Sequence, residues 1–331
     1  MTLARPHLGF VLIIAWLACA VASGVERVSL QRDGRELHVV GKVLVEALDG
    51  GMLLIARDGN MWIVQPEELI RRASDTAPFE PLTKEEMAKQ LLQEMPDGFR
   101  IHETANYVIC YNTTQAYAEW CGGLYERLSR AFFNYWENRG VELRQPEYPL
   151  VALVFDNQAS YLEYSRRDLG TPATNMIGYY NLQTNRVTMY DLTGVDDLRQ
   201  NGRRTTTASH VNQILSQPQA ERTVATIVHE ATHQLAYNSG LQTRLADNPF
   251  WVSEGIAVYF ETPDLKSSRG WRNIGSVNRV NLFQFRKSLR TRPADSLVTL
   301  LSDDSRFRDA KLAPTARPPI AAMSGVIDTP S

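Results

Sequence analysis

The chain has 331 residues, of which 44% are apolar and 22% charged, and its formal net charge is −2. That is ordinary globular usage, with length enough for one large domain and a smaller companion. It lacks the basic excess of a nucleic-acid binder and the charge runs of an acidic tail.

The first residues, MTLARPHLGFVLIIAWLACAVASG, stand apart. Arg5 and His7 precede an apolar run from Leu8 to Ala20, and Ala20-Val21-Ala22 offers an A-x-A cleavage site, so 1–22 reads as a secretory signal peptide. The run is short for a membrane span, and Trp16 sits where lipid attachment at Cys19 would want a leucine-like residue. The mature chain is expected outside the cytoplasm, secreted or in the periplasm or cell envelope, with no membrane span unless the signal is retained. Cleavage leaves Cys110 and Cys121, for which a disulfide and two buried thiols are equal readings.

From 23 to 72, short apolar runs alternate with Asp49-Gly50-Gly51 and Asp58-Gly59-Asn60, the pattern of a small β module joined by tight turns. RRASDTAPFEPL, Arg71 to Leu82, reads as linker and shares the segment 73–98 with a helix. That helix opens on Thr83, with Glu86 three residues on as a capping box, and closes at Pro96-Asp97-Gly98. YVICY follows as a strand, then a helix from about Thr114 to Arg139 with Tyr117, Trp120, Cys121, Leu124, Leu128, Phe132, Tyr135 and Trp136 at core spacing. PLVALVF reads as a strand buried on both faces, SYLEYSRRDLG as a helix, and MIGYYNLQTNRVTMYD as a hairpin. A polar loop, Asn201 to Ser209, comes next, and the tail at 311–331 has the composition of a disordered segment.

TIVHEATHQLAYNSG carries the chemistry. A helix is expected to start near Ser216 and Pro218 and to stop at Asn238-Ser239-Gly240. On it His229 and His233 are four apart, so both imidazoles leave one side and can share one Zn²⁺. Glu230 is placed to handle the proton of a metal-activated water. The third ligand is sought in DNPFWVSEGIAVYFE, where Asn248 as cap and Pro249 at the first position would start a second helix carrying Glu254. Two histidines, a glutamate and a water make the open four-coordinate site of catalytic zinc. Glu261, two turns beyond, is read either as a carboxylate that orients an imidazole or as a solvated helix residue.

HEATH followed by FWVSEGIAVYFE resembles the gluzincin metallopeptidases, the superfamily of thermolysin and aminopeptidase N, and especially the peptidase MA-like domains of uncharacterised secreted bacterial proteins. The likeness rests on Trp251, Glu254, Gly255, Ala257, Tyr259 and Glu261 beside His229, Glu230 and His233. It implies an α+β, zincin-like catalytic domain over 99–310, zinc held by His229, His233 and Glu254, and Glu230 as general base and later proton donor. It also implies a sheet-edge strand lining a cleft for a peptide or protein substrate. The expected function is therefore a secreted zinc-dependent peptidase. No GxMEN-like segment is present, which argues for an endopeptidase. Two other readings stand beside it: a non-enzymatic secreted or envelope binding protein that keeps the zincin fold, with or without the metal, and metal-dependent hydrolysis of another amide or ester. In the family a Tyr or His steadies the oxyanion, yet neither residue type occurs after Glu261. That leaves Arg272, Arg279 and Arg286, or Tyr179, Tyr180 and Tyr190, as the available donors.

Overall fold

The computed structural model describes residues 24–170, 174, 176–194, 207–262, 264–267 and 271–303. The signal peptide expected at 1–22, most of the Asn201–Ser209 loop and the tail at 311–331 lie outside the described residues. The architecture is α+β. Its contacts divide the chain into two compact units, one of residues up to Leu54 with Val64–Phe79, the other of Ile55–Ile63 with residues from Glu80 on.

The N-terminal sheet has strands β1 (Gly24–Arg32), β2 (Arg35–Glu46), β3 (Met52–Ala56), β4 (Met61–Val64) and β5 (Leu69–Pro78), in the order β4-β3-β2-β1-β5. β1 and β2 are antiparallel around Asp33-Gly34, both with positive φ, the two-residue turn whose twist suits a hairpin. The stretch expected as linker from Arg71 is corrected here: most of it belongs to β5, antiparallel to β1 at the sheet edge. No β5 residue is buried, so its sequence has no apolar alternation to reveal a strand.

The second unit holds α1 (Lys84–Glu94), β6 (Arg100–Glu103), β7 (Tyr107–Tyr111), α2 (Gln115–Glu137), β8 (Leu150–Phe155), α3 (Gln158–Leu169), β9 (Gly178–Asn181) and β10 (Arg186–Tyr190). Thereafter come α4 (Ala208–Leu215), α5 (Glu221–Asn238), α6 (Phe250–Phe260), α7 (Arg279–Ser288) and α8 (Ser296–Ser302). Thr83 closes the expected capping box with Glu86, and Thr114 caps α2 through the Tyr117 N–H. The sheet runs β6-β7-β8-β10-β9, with β7 and β10 parallel to β8 and the two edge strands antiparallel to their neighbours. Every residue of β7, β8 and β10 is buried, so these strands are covered on both faces, with Arg186 and Thr188 of β10 among the buried polar residues. Gly178 lets the edge strand close on β10, because a Cβ there would lie 2.9 Å from the Thr188 carbonyl oxygen.

The aromatic face of α2 packs in the core with β7 and β8, and Phe132 meets Phe260 of α6 at 5.0 Å between centroids. Cys110 and Cys121 are buried free thiols, not a disulfide, and burial pushes the Cys110 thiol up to about 12. Helix α4 was not expected; its N-cap Thr207 and buried Val211 and Leu215 lie beside the Arg- and Thr-rich stretch that masks the pattern in the sequence. Among the described residues no helix is long and apolar enough to cross a membrane.

Candidate metal centre

Helix α5 is buried without interruption from Val224 to Ala236, so its polar residues need partners. It does not start at Ser216, which instead ends α4; a 3-10 turn at Pro218–Ala220 leads into Glu221 with no side-chain cap. Packing and side-chain ties hold it instead. Gln234 Nε2 donates to the carbonyls of Val151 and Asn185, at 3.0 and 2.9 Å, fixing the helix to the ends of β8 and β10. Asn238 exchanges amide hydrogen bonds with Asn185.

With α5 so placed, His229, Glu230 and His233 are all 95% or more buried, on a helix that contacts α6 and β9. Helix α6 begins after Pro249 without the expected Asn248 cap, because the Asn248 side chain donates to the carbonyls of Thr243 and Ala246. Its buried stripe of Ser253, Glu254, Ala257 and Phe260 turns Glu254 toward the two histidines, while Trp251, Gly255 and Tyr259 face outward. The Nε2 atoms of His229 and His233 are 3.2 Å apart. Glu254 brings Oε2 to 3.3 Å from His229 Nε2 and Oε1 to 3.4 Å from His233 Nε2. These three residues offer ligand atoms within 4.8 Å of one another and could hold a metal ion.

The surrounding bonds orient the group. Glu261 Oε2 lies 3.0 Å from His229 Nδ1. An ionised carboxylate only accepts, so Nδ1 carries the hydrogen and Nε2 faces the cluster. Glu261 is thus the imidazole-orienting carboxylate, not a solvated residue. Its other oxygen accepts from Asn278 Nδ2 at 2.9 Å and Asn281 Nδ2 at 2.6 Å. Asn278 also accepts the Asn281 N–H through Oδ1, tying the start of α7 to the metal-ligand network. Neither asparagine was anticipated; the only signal in sequence is an Asn three residues before another Asn at the head of a helix, which reads simply as a cap.

Electrostatically the place favours positive charge. Burial opposes charge on His229, but the carboxylates of Glu254 and Glu261 outweigh it and hold the imidazole pKa well above its ordinary value. Burial likewise opposes the charge of Glu254, yet His229 and His233 hold that carboxyl well below its usual range. Glu254 Oε2 still accepts no hydrogen bond, a buried acceptor left for a cation to satisfy. Glu230 is raised by burial, partly offset by the two histidines. Its Oε2 accepts the backbone N–H of Tyr180 at 2.9 Å, from edge strand β9.

Of the six residues considered as oxyanion donors, none brings its side chain into a hydrogen bond with Glu230, the histidines or Glu254. Tyr179 donates to Asp168, Tyr180 donates to Asn185, and Arg272 pairs with Asp264. Arg279 and Arg286 are exposed. Only Tyr180 touches the group, and it does so through its backbone.

The site defines the chain as an α+β protein with a buried cluster of two histidines and one glutamate, flanked by a second buried glutamate. Residues 223–319 match the model of a family described as a protein of unknown function, DUF1570. That span takes in His229, Glu230, His233, Glu254, Glu261 and both asparagines. Neither the curated proteins nor the solved structures yield a match to this chain.

Proposed function

We propose that this chain is a zinc-dependent peptidase of the gluzincin type, exported from the cytoplasm, which hydrolyses peptide bonds within a peptide or protein substrate. The observation that carries the reading is the convergence of His229, His233 and Glu254 beside Glu230, whose second oxygen is left uncommitted. A tetrahedral ion with bonds of about 2.0–2.1 Å sets its ligands about 3.3–3.4 Å apart. The two imidazole Nε2 atoms are 3.2 Å apart, and each lies near a different oxygen of Glu254, Oε2 at 3.3 Å from His229 and Oε1 at 3.4 Å from His233, with one ligand atom per residue all within 4.8 Å. Mixed imidazole and carboxylate donors also suit zinc better than the harder divalent ions.

Zinc bound there would lower the pKa of a water ligand toward about 7 and polarise a substrate carbonyl. The remaining work falls to the chain. Glu254 neutralises charge and completes the ligand set. Glu261 fixes the tautomer of His229 and keeps its Nε2 lone pair toward the centre. The Tyr180 N–H occupies Glu230 Oε2, so Oε1, which takes no hydrogen bond from a described residue, is the atom that receives a proton and later returns it to the leaving amine. Strand β9 is an edge among the described strands, and a substrate laid alongside it would gain backbone hydrogen bonds by strand addition. One observation favours the second reading, a binding protein without turnover: Tyr179, Tyr180 and Arg272 commit their side chains to Asp168, Asn185 and Asp264.

The test is metal content by mass spectrometry on the full chain, with His233→Ala and Glu230→Gln beside it and mixed-peptide cleavage on the same samples. One zinc per chain, lost in His233→Ala, with cleavage present in wild type and abolished in zinc-loaded Glu230→Gln, is the expected result. Stoichiometric zinc with no cleavage turns the assignment to the binding protein. A folded wild type that takes up no zinc overturns the zinc peptidase.

A further inference from the structure

Helix α2 has a second face that the core does not use. Arg127, Arg130, Ala131, Asn134 and Asn138 fall at i, i+3, i+4, i+7 and i+11, one stripe along the helix. A polar stripe of this kind is ordinarily just a solvated surface. Here it forms one wall of a cavity of about 380 Å³, with Tyr135, Arg139, Trp271 and Ile274 completing the lining. Three of the nine lining residues are arginines and none is acidic.

Burial is the largest influence disfavouring the charge of Arg127, Asp264 offsets part of it, and the neighbouring Arg130 disfavours it further. Asp264 attracts Arg127, but that carboxylate already accepts from the Ser267 N–H, the Arg272 N–H and Arg272 Nε. Arg127 donates from one terminal nitrogen to the Ser267 carbonyl at 2.9 Å, while its buried Nε has no partner. Arg130 forms no hydrogen bond or ion pair with a described residue and is exposed. Arg139 is held flat on Tyr135, its guanidinium carbon 3.6 Å from the ring centroid. A partly buried guanidinium whose Nε has no partner, and whose neighbouring carboxylate is already bonded to other donors, has donor capacity left for an anion.

We propose that this cavity is a binding site for a small organic oxyanion, a carboxylate or a phosphate ester. The guanidinium fork matches both groups in two-point geometry. Asn134 and Asn138 add neutral donors at the same wall. Trp271, 7% exposed, together with Tyr135 and Ile274 gives an apolar side for the body of the ligand. The volume lies at the small end of the range for small-molecule sites, about 300–1,000 Å³. The site is separate from the metal ligands in sequence and in lining, and the inference does not depend on the peptidase reading.

The experiment is calorimetric titration of the full chain with inorganic phosphate and, separately, with citrate at low ionic strength. It is repeated on Arg130→Gln, Arg130→Glu and a control, Arg166→Gln, on the exposed face of α3. Saturable binding of at least one probe is expected, and the tighter of the two distinguishes a phosphate from a carboxylate ligand. Arg130→Gln should weaken it about tenfold or more, as loss of a charged donor does. Arg166→Gln should leave it unchanged. Arg130→Glu should abolish binding and raise the melting temperature above that of Arg130→Gln, because the new carboxylate offers an acceptor to the unpaired Arg127 Nε. The proposal is overturned if neither probe binds, if Arg130→Gln binds as wild type does, or if Arg166→Gln loses binding equally.

Discussion

The two five-stranded sheets solve the same packing problem in opposite ways. In the N-terminal sheet, Val28, Leu30, Val39 and Leu54 are buried while Leu44, Val45, Ile63 and Ile70 stand exposed, so burial is partial and the end of β2 is open to water. Its charges meet in the open: Arg72 pairs with Glu26 and Glu46 at 3.1 Å each, and Arg32 with Glu68 at 2.6 Å. In the second sheet β7, β8 and β10 are buried along their whole length. The comparison locates the chemistry. A sheet covered on both faces places α5 in a low-dielectric setting, where His229, Glu230 and Glu254 need partners, from one another or from an ion that they could hold. A half-wet sheet lets its ion pairs form and break in water, where each contributes little.

The largest expected contrast comes from shortening one apolar side chain on each sheet. Leu153→Ala, at the centre of β8 with no exposure, should destabilise the chain by about 2–5 kcal/mol. Val45→Ala, 57% exposed on β2, should stay within about 0.5 kcal/mol of wild type. Urea unfolding followed by circular dichroism reads both. Equal losses would mean that the end of β2 is covered in solution, and the contrast would fail.

A smaller and more local effect is expected at the metal-ligand network. Asn281→Ala removes the shorter of the two side-chain donors to Glu261 Oε1. It should raise the dissociation constant for zinc about 10–100-fold, the usual consequence of disturbing a carboxylate that orients a ligating histidine. The urea midpoint of the metal-free protein should move far less than in Leu153→Ala. Competition with a chromophoric chelator measures the affinity. Wild-type affinity in Asn281→Ala would show that Asn278 alone suffices to hold Glu261.

What could be read from the sequence follows the same division. His229, Glu230, His233 and Glu254 were legible because the helical period fixes which side chains share a face and because polar residues in an apolar run demand a reason. β7, β8 and the β9–β10 hairpin were legible from continuous or alternating apolar runs. Strand β5 was not, since an exposed edge strand has only backbone pairing to define it, and no side-chain pattern records that. The contact of Asn281 with Glu261 spans 20 positions and depends on how 262–278 folds back, which no local period encodes. Arg127 and Arg130 were visible only as the outer face of an amphipathic helix. Their concave setting comes from Trp271 and Ile274, more than 130 residues away in the chain. The Tyr180 N–H was invisible for a different reason: any residue at that edge position would donate the same bond to Glu230.

The smallest effect belongs to the N-terminal sheet and tests whether its charges act as charges. The Arg32 guanidinium, and after it the Gln65 backbone N–H, hold the Glu68 carboxyl down to about 2, below its ordinary 4.5. The unfolded chain therefore takes up a proton at Glu68 before the folded chain does. It follows that the contribution of the pair is complete above about pH 4.5 and is lost progressively as the pH falls toward 2. Glu68→Gln should lower the urea midpoint modestly at pH 7, and the gap to wild type should close between pH 4.5 and 2. Salt should narrow it as well, because both side chains remain partly in water. A gap that is the same at every pH would assign Glu68 a neutral role, as the acceptor for Gln65 in the turn before β5, and would remove charge pairing from the account of this sheet.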